Sequence, residues 1–131
     1  MGSAVPEVRG LAVKGLVAGY GGKPIARVAH LAVGAGDAAV LGGVSGSGKT
    51  TLLLAVAGLA DRLEGTICID GEDVGRFSSA ARDCHRGRHI GLIFQDLHLI
   101  PGLSALDNML LAPFATGARC PSSDHLAHLA A

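Results

Sequence analysis

The chain is poor in aromatic residues: Phe, Trp and Tyr make up 3% of its 131 residues, with no Trp and one Tyr. Its core must therefore be assembled from Val, Leu, Ile and Ala, and an apolar content of 49% supplies enough of them for one compact domain. Charge imbalance is also missing, since eleven Lys+Arg offset eleven Asp+Glu. That balance argues against a general nucleic-acid surface, which needs a basic excess. Cys68, Cys84 and Cys120 are odd in number and form no C-x-x-C pair. Neither a zinc knuckle nor a disulfide framework is indicated, and reduced thiols are expected. No basic stretch leads into an apolar one near Met1, so no signal peptide is expected. Pro6 stands where a myristoylation motif needs Ser or Thr. The longest apolar run, residues 52–60, is far short of the roughly 20 residues that span a bilayer. A membrane role would have to come through a partner.

Glycine, by contrast, is plentiful at 20 residues, which points to tight turns and close backbone approaches. Apolar runs predict strands at 9–17, 28–33, 38–41, 66–69 and 90–94. Residues 20–24 form a turn cluster, and Asp70-Gly71 closes the fourth of these strands. Residues 51–59, apolar on nearly all sides, predict a buried helix. Ser78 or Ser79 is placed to cap a short helix toward His85, and Ser104 to cap a last helix through Leu111. Signals weaken after Pro113, where a ragged end with a short Leu/Ala helix is expected.

The strongest chemical signal is Gly43-Val44-Ser45-Gly46-Ser47-Gly48-Lys49-Thr50, which fits G-x-x-x-x-G-K-[ST] between a predicted strand and a predicted helix. In a chain of this composition the motif would arise by chance roughly 0.006 times. The layout suits a triphosphate. Glycines let successive N–H groups converge on one anion, and a helix beginning near Gly48 adds free N–H groups and a positive dipole end. Lys49 is placed to reach the β- and γ-phosphates, and the Thr50 hydroxyl to ligate Mg²⁺.

From these residues onward the sequence resembles the ATP-binding subunit of an ABC transporter, over roughly residues 8–112. The resemblance implies a set of site residues. Tyr20 would stack on adenine; Gly43, Ser45, Gly46, Ser47, Gly48, Lys49, Thr50 and Thr51 would hold the phosphates; Lys49 would also serve catalysis. Ile93-Phe94-Gln95 resembles the Q-loop, in which Gln95 would reach Mg²⁺ or the water near the γ-phosphate and sense the membrane partner. Gly36-Asp37 resembles the family's Gly-Glu. Gly65-Thr66-Ile67-Cys68-Ile69-Asp70-Gly71 resembles its G-x-I-x-x-x-G hairpin. Asp70 is not read as a Walker B aspartate, because no second acid follows and Gly71 marks a turn. Leu99-Ile100-Pro101-Gly102-Leu103-Ser104-Ala105-Leu106-Asp107-Asn108 looks like the segment after the Q-loop. With Arg88-His89-Ile90-Gly91, it is most similar to the lipoprotein-releasing and macrolide-export type. Arg82, Arg86 and Arg88 with His85 and His89 read as a solvated basic face, or as a contact surface for a coupling helix or lipid head groups. No chemistry is assigned to His30, His98, His125 or His128.

The family pattern then stops. Neither the L-S-G-G-Q signature, nor an apolar strand ending in Asp-Glu, nor the switch histidine is found. The fold expected is α/β, a P-loop NTPase core with an antiparallel N-terminal β-subdomain (residues 8–33, joined by 66–69), incomplete for lack of the signature, Walker B and switch-His regions. The expected division is a partial nucleotide-binding domain at 1–114 and an atypical tail at 115–131. The resemblance implies ATP and Mg²⁺ as ligands and a transmembrane permease subunit as partner. It also implies a homodimer in the full-length family and a cytoplasmic place at the inner face of the membrane. It implies no nucleic acid and no membrane span of its own. Left open are a non-catalytic ATP-binding fragment and another P-loop NTPase or kinase. The absence of an N-K-x-D tetrapeptide counts against a GTPase.

Overall fold

The computed structural model describes residues 9–96 and 98–117. They fall into two units, one reaching Arg82 and the other starting at Asp83. The first unit is built on a four-stranded antiparallel sheet. Its strands are β1 (Gly10–Tyr20), β2 (Lys23–Gly34), β3 (Asp61–Ile69) and the two-residue β4 (Glu72–Asp73), in the order β2-β1-β3-β4. β1 and β2 form one long hairpin. Both residues of its tip, Gly21 (φ 55°) and Gly22 (φ 79°), lie in the left-handed region, as a two-residue type I′ turn requires. β3 joins the same sheet on the other side of β1, as expected for 66–69, but starts five residues earlier at Asp61.

The apolar alternation of β1 is irregular for a local reason. Its register with β3 slips between Lys14 and Val17, beside Gly15 at φ 56°. The slip is a bulge, and it lets Val13 and Leu16 both enter the core, although an odd spacing would put them on opposite faces of a regular strand. The partner strand meets the bulge with Gly65, where any Cβ would strike the carbonyl oxygens of Lys14 and Gly15. Asp70 closes the far end of the sheet. Its Oδ1 accepts from the Gly10 N–H at 2.8 Å and its own N–H donates to the Gly10 carbonyl at 2.8 Å.

Helix α1 (Lys49–Val56) lays Leu52 and Ala55 on the sheet, completing a core with Val13, Leu16, Ala18 and Ile67. It is not buried all round: Leu53 is 57% exposed. The two other expected strands are not formed. Residues 37–44 have no regular structure, and Val40 is 98% exposed; residues 90–94 are likewise irregular, with Ile93 98% exposed. A strand exists only against a partner, and among the described residues none pairs with either segment. Val40 and Leu41 instead border an open apolar hollow of about 380 Å³, lined further by Leu11, Leu31, Val33 and Leu53.

A 3₁₀ turn (Val74–Arg76) leads to α2 (Ser79–His89), which runs across the boundary between the units. Ser78 starts it, its Oγ accepting from the Ala81 N–H at 3.3 Å. In the second unit, α3 (Ala105–Thr116) begins at the expected residue. The Ser104 Oγ accepts from the Asp107 N–H at 3.1 Å, and the Asp107 carboxylate accepts from the Ser104 N–H at 3.3 Å. α3 continues past Leu111 with Pro113 inside it and ends at Gly117 in the left-handed region, φ 64°. Cys120, His125, His128 and the tail from 118 on lie outside the described residues.

Candidate functional site

The glycine-rich loop leads into α1 through Gly48, which caps the helix at φ 90° with no side-chain cap. Glycine is required there twice over. The backbone is left-handed, and a Cβ would sit 3.0 Å from the Ile25 carbonyl oxygen and 3.1 Å from the Ala26 Cβ. The first turn of α1 carries no acidic residue and no side-chain cap, so its N–H groups and dipole are uncompensated. Lys49 folds back over the loop. Its Nζ donates to the carbonyls of Gly43 (2.8 Å) and Val44 (2.5 Å) and to the Ser47 Oγ (3.3 Å). A Cβ on Gly43 would point into the same space, 3.1 Å from the Ser47 Oγ. Ser45, Gly46, Ser47 and Thr50 are exposed, and Thr51 is buried at 8%. The cradle is therefore open to solvent, lined by backbone and hydroxyls, with the Lys49 ammonium group bonded across its centre.

Tyr20 is 43% exposed at the tip of the β1–β2 hairpin, opposite Lys23. Ile25 and Ala26, which back Gly48, follow a few residues along the same strand, so Tyr20 and the loop share one end of the hairpin. Asp61 holds that tip: its Oδ2 accepts from the Gly21 N–H at 2.9 Å. This tie spans 40 residues, and nothing in the local sequence around Asp61 announced it. Gln95 belongs to the second unit and is exposed in an irregular segment, near the edge-to-face pair of Phe94 and His98 at 5.0 Å.

The α2 cluster is not the simple solvated face its composition suggested. His85 is buried and stacks on His89 at 4.4 Å, and Arg86 pairs with Asp83 at 2.8 Å. Among the described residues, no group of three or more His, Cys, Asp or Glu side chains is gathered for a metal. No helix among them is long and apolar enough to cross a membrane.

The model of the family described as "ABC transporter" matches residues 27–131. The chain belongs to the ABC transporter family. It is 38% identical over 111 residues to the lipoprotein-releasing system ATP-binding protein LolD 1 of Rhodopirellula baltica, covering 83% of this chain and 48% of that protein. It is 39% identical over 113 residues to the LolD protein of Cereibacter sphaeroides, covering 82% of this chain and 50% of that one. The fold is similar to the dimeric bacterial ABC transporter cassette MJ0796, with a TM-score of 0.73 and 26% identity, over 88% of this chain and 51% of that one. The same cassette is known in a post-hydrolysis state bound to ADP and Pi, so nucleotide is bound within the family. This ABC chain spans about half the length of the curated relatives it matches. The antiparallel sheet and α1 thus match part of an ABC transporter cassette, as the sequence led one to expect.

Proposed function

We propose that this ABC chain binds MgATP through the loop at 43–50 and, as a nucleotide-binding subunit of a transporter, couples nucleotide to a membrane partner. The observation that carries this reading is the open cradle. An uncapped helix start and a Gly-rich loop present N–H groups, and Lys49 occupies the centre by holding the loop's own carbonyls. A phosphate group is a stronger acceptor than those carbonyls, so Lys49 would exchange them for it. Gly43, Ser45, Gly46, Ser47 and Gly48 would supply close backbone approach, with the N–H groups of Lys49, Thr50 and Thr51 at the helix start. Tyr20 would stack on the base. Thr50 and Gln95 are the residues that would hold Mg²⁺, and the ion, when bound, would offset charge on the phosphate oxygens.

Residues 1–114 would form the partial nucleotide-binding domain and 115–131 a tail. The partner would be a transmembrane permease subunit at the inner face of the membrane, met by a dimer of full-length subunits. Lys49 and Gln95 are the residues to which catalytic roles fall. Phosphoryl transfer depends on positioning and charge stabilisation. These 131 residues contain neither an apolar run ending in Asp-Glu, whose glutamate would orient water, nor an L-S-G-G-Q segment to close over nucleotide. The chain alone should then bind nucleotide with little turnover.

Calorimetric titration of the 131-residue chain with MgATP tests the reading. Saturable binding is expected, weakened roughly tenfold or more in Lys49→Ala, which loses a charge-assisted contact of about 1.5–3 kcal/mol. A folded sample that binds no nucleotide would refute it. Turnover at ordinary ABC ATPase rates that Lys49→Ala abolishes would refute the expectation of slow hydrolysis.

A further inference from the structure

A second cavity, of about 350 Å³, opens in the first unit, walled by the end of α1, by β3, by the 3₁₀ turn and by the start of α2. Its floor is apolar: Ala55, Ala60, Ile67 and Val74 are all buried. Its rim carries two guanidinium groups, Arg62 and Arg82. Arg62 donates through Nη1 to the Gly65 carbonyl and through Nη2 to the Gly75 carbonyl. Arg82 donates through Nη2 to the Phe77 carbonyl at 3.3 Å, while its buried Nε has no acceptor. Neither is within ion-pair distance of a carboxylate among the described residues, whereas Arg76 and Arg86 each have an aspartate. The third charged residue of the lining, Asp61, has its Oδ2 engaged by the Gly21 N–H.

The lining sets two guanidinium groups against one carboxylate, a net positive charge, and the buried Nε of Arg82 lacks an acceptor, so an anion would complete the arrangement. The planar guanidinium fork suits carboxylate and phosphate oxygens alike. The cavity is within the range of small-molecule sites, roughly 300–1,000 Å³. We propose that this cavity binds a small organic anion, a carboxylate or phosphate monoester with a short apolar body, between Arg62 and Arg82. The anionic head would lie on the two guanidinium groups and the apolar body on Ala55, Ile67 and Val74. The site lies away from the glycine-rich loop and does not rest on the nucleotide reading.

The test is a titration of the full chain followed by amide chemical shifts. The Lys49→Ala background removes the lysine from the phosphate loop, and ionic strength is held constant. The probes are phenyl phosphate, phenylacetate and inorganic phosphate. Saturable shifts at Gly58, Ile67 and Gly75 are expected with at least one organic probe, which also shows whether phosphate or carboxylate is preferred. Inorganic phosphate, without an apolar body, should bind more weakly. Arg62→Gln and Arg82→Gln should each weaken binding roughly tenfold. Gly75→Ala gives a milder variant: its backbone is not left-handed, and its Cβ would land on the Arg62 guanidinium and displace it. It should weaken binding without unfolding the chain. Absence of saturable shifts up to about 10 mM, where a millimolar site saturates, would overturn the proposal. So would shifts confined to residues 43–51, or binding indifferent to all three substitutions.

Discussion

Single residues set the properties of the glycine-rich loop at 43–50. The Lys49 Nζ holds three loop acceptors, so Lys49→Ala should loosen the loop even without nucleotide. Faster amide exchange at residues 44–48 in the variant is the expected outcome, measured by hydrogen–deuterium exchange; unchanged protection would mean the loop is held by its backbone alone. Gly48→Ala places a Cβ at φ 90° against the Ile25 carbonyl and should destabilise the first unit by about 1–3 kcal/mol, read from urea midpoints. Cys68 is buried within β3, and burial, with the nearby Asp73 carboxylate second, pushes its thiol up from the usual value, against smaller opposing effects of Lys14 and Arg76. Its folded-state pKa therefore exceeds the unfolded one. The associated stability is complete below the unfolded value of about 8.5 and is lost as pH rises through the folded pKa. Unfolding free energy should fall above about pH 8.5, and Cys68→Ala should flatten that slope. At neutral pH an alkylating reagent should label the exposed Cys84 long before Cys68, as peptide mapping would show.

Secondary elements were legible where a short local cause suffices. The Ser104 cap was read from the sequence and is present with its reciprocal Asp107 bond, so Ser104→Ala should cost about 1 kcal/mol in the second unit. Asn108 was quoted only as part of a family segment, yet it staples the turn before α3. Its Oδ1 accepts from the Ile100 N–H at 2.8 Å, and its Nδ2 donates to the carbonyls of Ser104 (3.0 Å), Leu103 (3.3 Å) and Ile100 (3.4 Å). Asn108→Ala should therefore destabilise this unit more than Ser104→Ala does, by circular dichroism melts of the two variants. Strand boundaries were less legible. The β1 bulge depends on Gly65 arriving opposite Gly15, a pairing 50 residues apart that periodicity within either strand does not encode. Residues 38–41 and 90–94 have strand composition without strand structure, because composition makes a segment able to pair and only a neighbour makes it do so.

For the molecule as a whole, the apolar hollow beside α1 is the main liability. Leu53 and Val40 stand exposed around it, a contiguous apolar surface of a kind soluble monomers keep small. The 131-residue chain should bind a hydrophobic dye and associate as its concentration rises. Leu53→Lys should reduce both, by dye fluorescence and light scattering, with little loss of stability, since this side chain is mostly outside the core. If dye binding is unchanged, the hollow is not the exposed surface that matters.

The order of the glycines, Lys49 and Thr50 along the chain was enough to mark residues 43–50 as a candidate phosphate-binding loop, because the chemistry proposed for it comes from consecutive backbone groups and one adjacent side chain. Local sequence was likewise enough for the hairpin tip and the helix caps, whose geometry is settled within a few residues. Folding alone decided that Asp61 braces the tip beside Tyr20 and that Ile25 and Ala26 press on Gly48. Folding also brought Arg62 and Arg82 to the rim of one cavity. Each of these depends on antiparallel pairing between distant strands and on a helix laid across them. Such contacts are fixed by what the whole chain can bury together, and no local pattern records them.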